Sequence, residues 1–216
     1  MPTEVVEKAP RLSGPGGGPG GGDHRPGGGR EPSGEGTPGI LGDPALFGLL
    51  AFLGTVTMLF VGFTSAYILR RASADWRPLA APSVLWLNTA VLLASSGTLE
   101  VARRRLRGWD LAGSQRWVAA TGLLGALFVA GQYIAWRQLG ARGVYLASNP
   151  HSSFFYVLTG VHALHLLGGL GWFVAVLRRL RGMGYLPGQD GLQRFATYWH
   201  FLGALWVYLL FLLFVI

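Results

Sequence analysis

The sequence predicts an all-α polytopic membrane protein: five transmembrane helices in an up-and-down bundle, preceded by a disordered Gly/Pro-rich N-terminal tail. Three observations predict this class. Only 13% of the 216 residues are charged, about half the share in a typical soluble domain. Most basic residues lie in short clusters between long apolar runs. Five of these runs are long enough for the ~20 residues that cross a hydrocarbon core of ~30 Å.

The first predicted region, residues 1–43, is the disordered tail. Gly and Pro dominate it, and the aliphatic residues that a folded core needs are scarce. It contains no apolar segment followed by a cleavage site, so the pattern does not indicate a signal peptide. The second region, residues 44–216, is predicted to be the five-helix transmembrane domain.

The predicted spans are separated by polar segments that are typical of loops. The first span ends at RRASADWRPLAAPS, the second at RRRLRGWDLAGSQR, the third at RQLGARGVYLASNPHSS and the fourth at RRLRGMGYLPGQDGLQR. The spans cover about residues 46–69, 84–102, 117–136, 154–177 and 195–216. Six Trp residues lie in or near span ends, as in the aromatic belt of membrane–water interfaces. They are Trp76, Trp86, Trp109, Trp117, Trp136 and Trp172.

The arginine distribution predicts the orientation of the chain. The second and fourth loops hold nine Arg residues and the first and third hold five, while four basic residues of the tail lie on the side of the nine. Basic loops stay on the cytoplasmic side of a membrane. We therefore expect a cytoplasmic N-terminus and an external C-terminus. The net charge of +8 then reflects loops at a membrane surface, and no nucleic-acid partner is predicted.

Small residues recur every four positions within the spans. Such stripes let helix backbones approach closely where lipid gives no hydrophobic drive to associate. The stripes are Gly122, Ala126 and Ala130; Ala90 and Ala94; and Gly62 and Ala66. Packing within this chain and packing against another subunit explain them equally well.

Polar side chains inside the predicted spans are the default functional candidates. Glu100 lies at the end of the second span beside an arginine cluster, and Asn88 lies near its start. The remaining candidates are Gln132, His162, His165 and His200. His162 and His165 are three residues apart, so they are close on one helix surface.

Three kinds of site are consistent with these residues: a redox-metal site, a proton path, and hydrogen bonds between helices. The spans contain three histidines without a Cys or Met companion, which is few ligands for a redox metal. A proton path needs a carboxylate in mid-membrane, and the spans contain none there. Hydrogen bonds between packed helices are therefore favoured. No catalytic, cofactor-binding or metal-binding residue is predicted.

Three segments carry a resemblance to a known family: LWLNTAVLLASSGTLEVARRR, HSSFFYVLTGVHALHLLGGLGW and FATYWHFLGALWVYLLFLLF, at residues 85–105, 151–172 and 195–214. In this order and spacing they resemble subunit III of the haem–copper oxidases, which include the aa3-type cytochrome c oxidases and their quinol-oxidase relatives. The resemblance covers about residues 45–216. It matches the five-helix form that is common in bacteria.

The resemblance implies a non-catalytic subunit of an aerobic terminal oxidase in the bacterial inner membrane, where O2 reduction is coupled to proton translocation. It implies that haem and copper lie in partner chains, with subunit I as the main contact and subunit II and other respiratory subunits nearby. Ordered phospholipid is a further expectation, although a lipid cleft would need helices of another chain. The motif residues His162, His165, His200 and Trp199 carry over as helix contacts.

The chain lacks acidic residues at three places where the family pattern has them. Gly203 stands where the family has Asp, Ala135 replaces a Glu after Gln132, and no carboxylate lies near Val56. A proton-buffering role that rests on those acids is therefore not expected.

Other functions stay open from the sequence. A subunit-III-like protein of a quinol oxidase or of a nitric oxide reductase cluster has the same features. An unrelated small transporter is disfavoured, because no internal repeat and no Pro within a span are found. A haem-binding membrane cytochrome is disfavoured by its ligand count.

Overall fold

The computed structural model describes residues 43–79, 82–182 and 189–215, and over these ranges the chain is helical with no β-strand. The five helices are α1 (Pro44–Arg71), α2 (Ser83–Arg107), α3 (Leu111–Ala141), α4 (Pro150–Gly182) and α5 (Gln189–Phe214). Each is long and apolar enough to cross a membrane. The predicted fold class is therefore confirmed. The predicted disorder of the tail falls on residues that lie, except for Asp43, outside the described part of the chain.

The helices extend beyond the predicted spans because capping residues start them early. Asp110 accepts a hydrogen bond from the backbone N–H of Gly113 at 2.8 Å, so α3 begins at Leu111. Asn149 accepts from the N–H of Ser152 at 3.1 Å, so α4 begins in a segment expected to be a loop. The 31 residues of α3 span about 46 Å, which is more than a hydrocarbon core requires.

Helices α2 to α5 form a four-helix bundle in which α2 contacts α3 and α5, and α4 contacts α3 and α5. The short connections make consecutive helices antiparallel. At the end where α2 and α4 finish, their last turns carry Arg104, Arg105, Arg107, Arg179 and Arg181. We call this end the arginine-rich end and the other end the opposite end.

Helix α1 packs on the outside of this bundle. It contacts α4 and α5, and across the described residues it makes no contact with α2 or α3. Its start is held by Asp43, which accepts hydrogen bonds from the N–H groups of Ala45 and Leu46 and pairs with Arg194 of α5 at 2.7 Å. This ion pair connects the first turn of α1 to α5.

Glycines permit the closest approaches within the bundle. A Cβ at Gly125 would lie 2.6 Å from the Trp199 ring, and a Cβ at Gly131 would lie 1.9 Å from Oδ1 of Asn88. Of the stripes noted in the sequence, only Gly122 is buried, against Phe173. Six members are exposed: Ala126, Ala130, Ala90, Ala94, Gly62 and Ala66. Packing within the chain therefore explains one stripe residue out of seven.

Candidate functional site

The centre of the bundle holds a buried imidazole. His162 of α4 is fully buried, with its ring centroid 6.2 Å from that of Phe128 on α3 and 5.2 Å from that of Trp206 on α5. The Phe128 and Trp206 rings meet edge to face at 4.9 Å. Neither ring nitrogen of His162 has a hydrogen-bond partner among the described residues. His162 therefore joins three helices by ring packing.

Two buried amides lie close to this ring cluster. The Nδ2 group of Asn88 donates to the backbone carbonyl of Phe128 at 3.2 Å, which ties α2 to α3. Gln132 follows Phe128 by one turn of α3 and is 2% exposed. Within the described ranges neither its amide nitrogen nor its amide oxygen has a partner.

Three indole groups supply hydrogen bonds between helices. Nε1 of Trp199 donates to Ser95 at 3.0 Å, and Nε1 of Trp206 donates to Thr89 at 3.1 Å, so both bonds connect α5 to α2. Nε1 of Trp136 donates to Thr159 at 3.1 Å and connects α3 to α4. Each indole buries an apolar ring and satisfies its N–H on a neighbouring helix.

The sequence identified only part of this set. The family resemblance predicts Trp199 as a helix-contact residue. The position of Trp136 near a span end predicts an interfacial location, and no prediction from the sequence covers Trp206 or the hydroxyl partners. One sequence signal was available, because Asn88 and Ser95 are seven residues apart within the second predicted span. Polar residues at this spacing share a helix face.

His165 has a different environment from His162. Its Nδ1 lies 2.8 Å from the carbonyl oxygen of Val161 in its own helix. Its ring lies 6.3 Å from Phe52 and 6.2 Å from Phe60, so it faces α1. The hydroxyl of Tyr198 donates to the backbone carbonyl of His165 at 2.7 Å. The hydrogen bond between α4 and α5 is thus made by the backbone of His165, while the imidazole ring of His165 packs against α1.

A charged cluster occupies the arginine-rich end between α2 and α5. Glu100 pairs with Arg103 at 2.6 Å and with Arg104 at 3.6 Å, and the Arg103 guanidinium also donates to the side-chain carbonyl of Gln193. His200, partly buried on α5, lies within range of the charges of Arg103 and Glu100. Glu100 is therefore a partner of arginines on its own helix.

The sequence pattern predicts a loop at His151, whereas the structure places this residue in a helix. It is 2% exposed in the first turn of α4, and its ring stacks on Trp76 with centroids 5.0 Å apart. Its Nδ1 accepts from the N–H of Leu79 at 2.7 Å, which leaves Nε2 to carry the proton and donate to the carbonyl of Leu213 at 3.1 Å. His151 thereby joins the α1–α2 connection to the ends of α4 and α5.

Carboxylates outside the spans are held ionised by their neighbours. The hydrogen bond from Arg194 lowers the pKa of Asp43, and the N–H groups that it caps lower it further. The backbone N–H of Gly113 lowers the pKa of Asp110, and Arg105 adds to this effect. Both groups thus act as charged caps at helix starts.

The arrangement of His, Asp and Glu side chains in the described ranges bears on metal binding. Within residues 43–79, 82–182 and 189–215, no three His, Asp or Glu side chains are grouped to hold an ion. The two ring nitrogens of His151 are both hydrogen-bonded, and His165 uses Nδ1 on its own helix. The ring nitrogens of His151 and His165 therefore take part in contacts within the chain.

Comparison with known proteins identifies one family. The sequence model described as cytochrome c oxidase subunit III matches residues 43–216. A probable cytochrome c oxidase subunit 3 of Nocardia farcinica is 36% identical over 166 residues, which cover 73% of this chain and 81% of the relative. The cytochrome c oxidase subunit 3 of a Synechocystis species is 32% identical, with 76% and 72% covered. A probable cytochrome c oxidase subunit 3 of Mycobacterium bovis is 33% identical, with 73% and 81% covered.

Proposed function

The chain belongs to the cytochrome c oxidase subunit III family, and we propose that it serves an aerobic terminal oxidase of the bacterial inner membrane as a non-catalytic subunit. Haem and copper are held by partner chains. Catalytic subunit I is its main contact, with subunit II and other respiratory subunits nearby. In this role the chain supports O2 reduction and the proton translocation that is coupled to it.

The observation that carries this proposal is the use of the intramembrane side chains. The rings of His162 and Trp206 pack against Phe128, and the indole of Trp199 is bonded to Ser95. A redox centre needs several donors that converge on one point. Among the described residues, the indoles of Trp136, Trp199 and Trp206 and the amide of Asn88 instead donate hydrogen bonds to neighbouring helices. We assign His162, His165, His200, Trp199, Gln132, Asn88 and Glu100 to this structural role.

The orientation is part of the proposal. The arginine-rich end faces the cytoplasm, with the N-terminus on the same side and the C-terminus external. The support is the loop count, with nine Arg residues against five.

Bound phospholipid is also part of the proposal. An apolar groove of about 420 Å3 lies between α1 and the α4–α5 pair, lined by Leu49, Phe52, Trp172 and Tyr198 among others. Its lining fits an acyl chain.

The proposal is tested by comparing the oxidase complex with and without this chain after mild detergent extraction. We expect the haem and copper content per catalytic subunit to be unchanged when the chain is removed. The matched variant is the double substitution of His162 and His165 by Leu, which should leave the haem spectrum of the complex intact. Loss of a haem signal in either preparation, or a Soret band from the purified chain, would contradict the proposal.

A further inference from the structure

Four buried polar atoms at the centre of the bundle lack partners. They are the two ring nitrogens of His162 and the two amide atoms of Gln132, and all are without a hydrogen bond in the part of the chain that the structure describes. The side chains are 0% and 2% exposed. Burying a polar group without a hydrogen bond destabilises a protein, so most buried polar groups have a partner or an ordered water.

Both side chains lie near Phe128, Gln132 one turn along α3 and His162 across the contact between α3 and α4. Gln132 lies one turn beyond Phe128 toward the opposite end, about 6 Å along α3, and the Phe128 ring contacts His162. Helical side chains lean toward the N-terminus of their helix. Helices α3 and α4 are antiparallel, so Gln132 leans toward the arginine-rich end and His162 leans toward the opposite end. The two side chains therefore lean in opposite directions along the bundle axis, from helices that contact each other.

A direct bond between them would not satisfy the group. A neutral imidazole offers one donor and one acceptor, and a carboxamide offers an acceptor oxygen and an N–H2 donor. One direct bond uses one atom of each side chain and leaves one ring nitrogen and one amide atom unpaired. Water both donates and accepts, and buried waters make about three hydrogen bonds each, so one water between the side chains and a second at the other ring nitrogen would satisfy all four atoms.

We propose that His162 and Gln132 form a binding site for ordered water in the middle of the bundle, with the water bridging the imidazole of α4 and the carboxamide of α3. The site gives hydrogen-bond partners to two buried polar side chains that have none among the described residues. It belongs to this chain and does not depend on which complex the chain joins.

The test is water-edited solid-state NMR on the intact complex in lipid bilayers, with 15N-labelled His and Trp in this chain. We expect the ring N–H of His162, assigned by its loss in His162→Phe, to receive magnetisation from water although the ring is fully buried. The internal reference is the indole N–H of Trp199, which is 1% exposed and bonded to Ser95, and which should receive none.

The Gln132→Leu variant removes one side of the bridge while keeping a similar volume. We expect the water signal at His162 to be lost in it. A wild-type His162 ring without water transfer would overturn the proposal even if the variant fails to fold. Persistence of the water signal in Gln132→Leu would also overturn it, because the water would then not bridge the two groups.

Discussion

A comparison of helix α1 with the bundle of α2 to α5 shows that the hydrophobicity of a helix does not predict its burial in this protein. The most apolar window of α1 is the most hydrophobic of the five helices, yet only 22% of its residues are buried, against 50% for α5. Met58, Val61 and Leu69 of α1 are exposed, whereas Trp199 and Trp206 of α5 are buried. In this protein the most hydrophobic helix is the most peripheral one.

The difference shows what holds a membrane bundle together. Lipid tails are as apolar as Leu, so burying an aliphatic side chain between helices gains little. The bundle instead uses close backbone approach at Gly125 and Gly131, together with indole and amide hydrogen bonds. Helix α1 has few such features, among them the 2.9 Å bond between the hydroxyls of Thr64 and Tyr208.

The largest effect is expected from a buried tryptophan of the bundle. Trp199→Ala removes ring packing and the bond to Ser95, and truncating a buried Trp costs about 3–5 kcal/mol. The matched control is Trp86→Ala, since Trp86 is 60% exposed and surface changes stay within about 0.5 kcal/mol. Thermal unfolding of the chain in its purified complex measures both. Equal destabilisation by the two variants would remove the distinction between bundle and periphery.

An intermediate effect is expected from adding one methyl group to a glycine. Gly131→Ala places a Cβ 1.9 Å from Asn88 Oδ1, which forces α2 away or breaks the bond to the Phe128 carbonyl; such overpacking costs about 1–3 kcal/mol. Gly62→Ala on α1 meets nothing within 4 Å, and Ala is favoured over Gly in a helix by about 0.5–1 kcal/mol. The same unfolding assay should therefore move in opposite directions. A loss of stability in both would show that α1 packs as tightly as the bundle.

The smallest effect is expected at the start of α1 and depends on pH. Arg194 holds the pKa of Asp43 below its usual range, so the ion pair contributes stability above the unfolded value of about 3.9. This contribution is lost as the pH falls through the lowered folded pKa. Asp43→Asn keeps a good cap but removes the charge.

Amide hydrogen exchange of the first turn of α1, corrected for intrinsic rates, measures this contribution. Wild type should be better protected than Asp43→Asn at neutral pH, and the two should converge on acidification. Equal protection at neutral pH would show that the ion pair with Arg194 does not hold α1.

The histidines of α4 show which structural features the sequence predicts and which it does not. The sequence predicts that His162 and His165 lie inside one membrane-spanning helix and form hydrogen bonds between helices. One ring packs among Phe128 and Trp206, and the other bonds to its own helix. Three residues separate their directions by about 60° on a helix, which is enough to put one in the bundle and the other against α1. His151, read as a loop residue, is more completely hydrogen-bonded than either.

The sequence by itself determined the number of helices, their residence in a membrane and the family. The thickness of the bilayer fixes the minimum length of a transmembrane helix, so spans can be recognised from the length of apolar runs. The family can be recognised because its motifs are short stretches of consecutive residues. Only the tertiary structure decided which face of each helix is buried and which polar atoms meet. Lipid-facing and bundle-facing positions are both apolar, so the pattern along a span carries little contrast between them. The partners of a buried donor also come from far along the chain, as with Trp199 and Ser95.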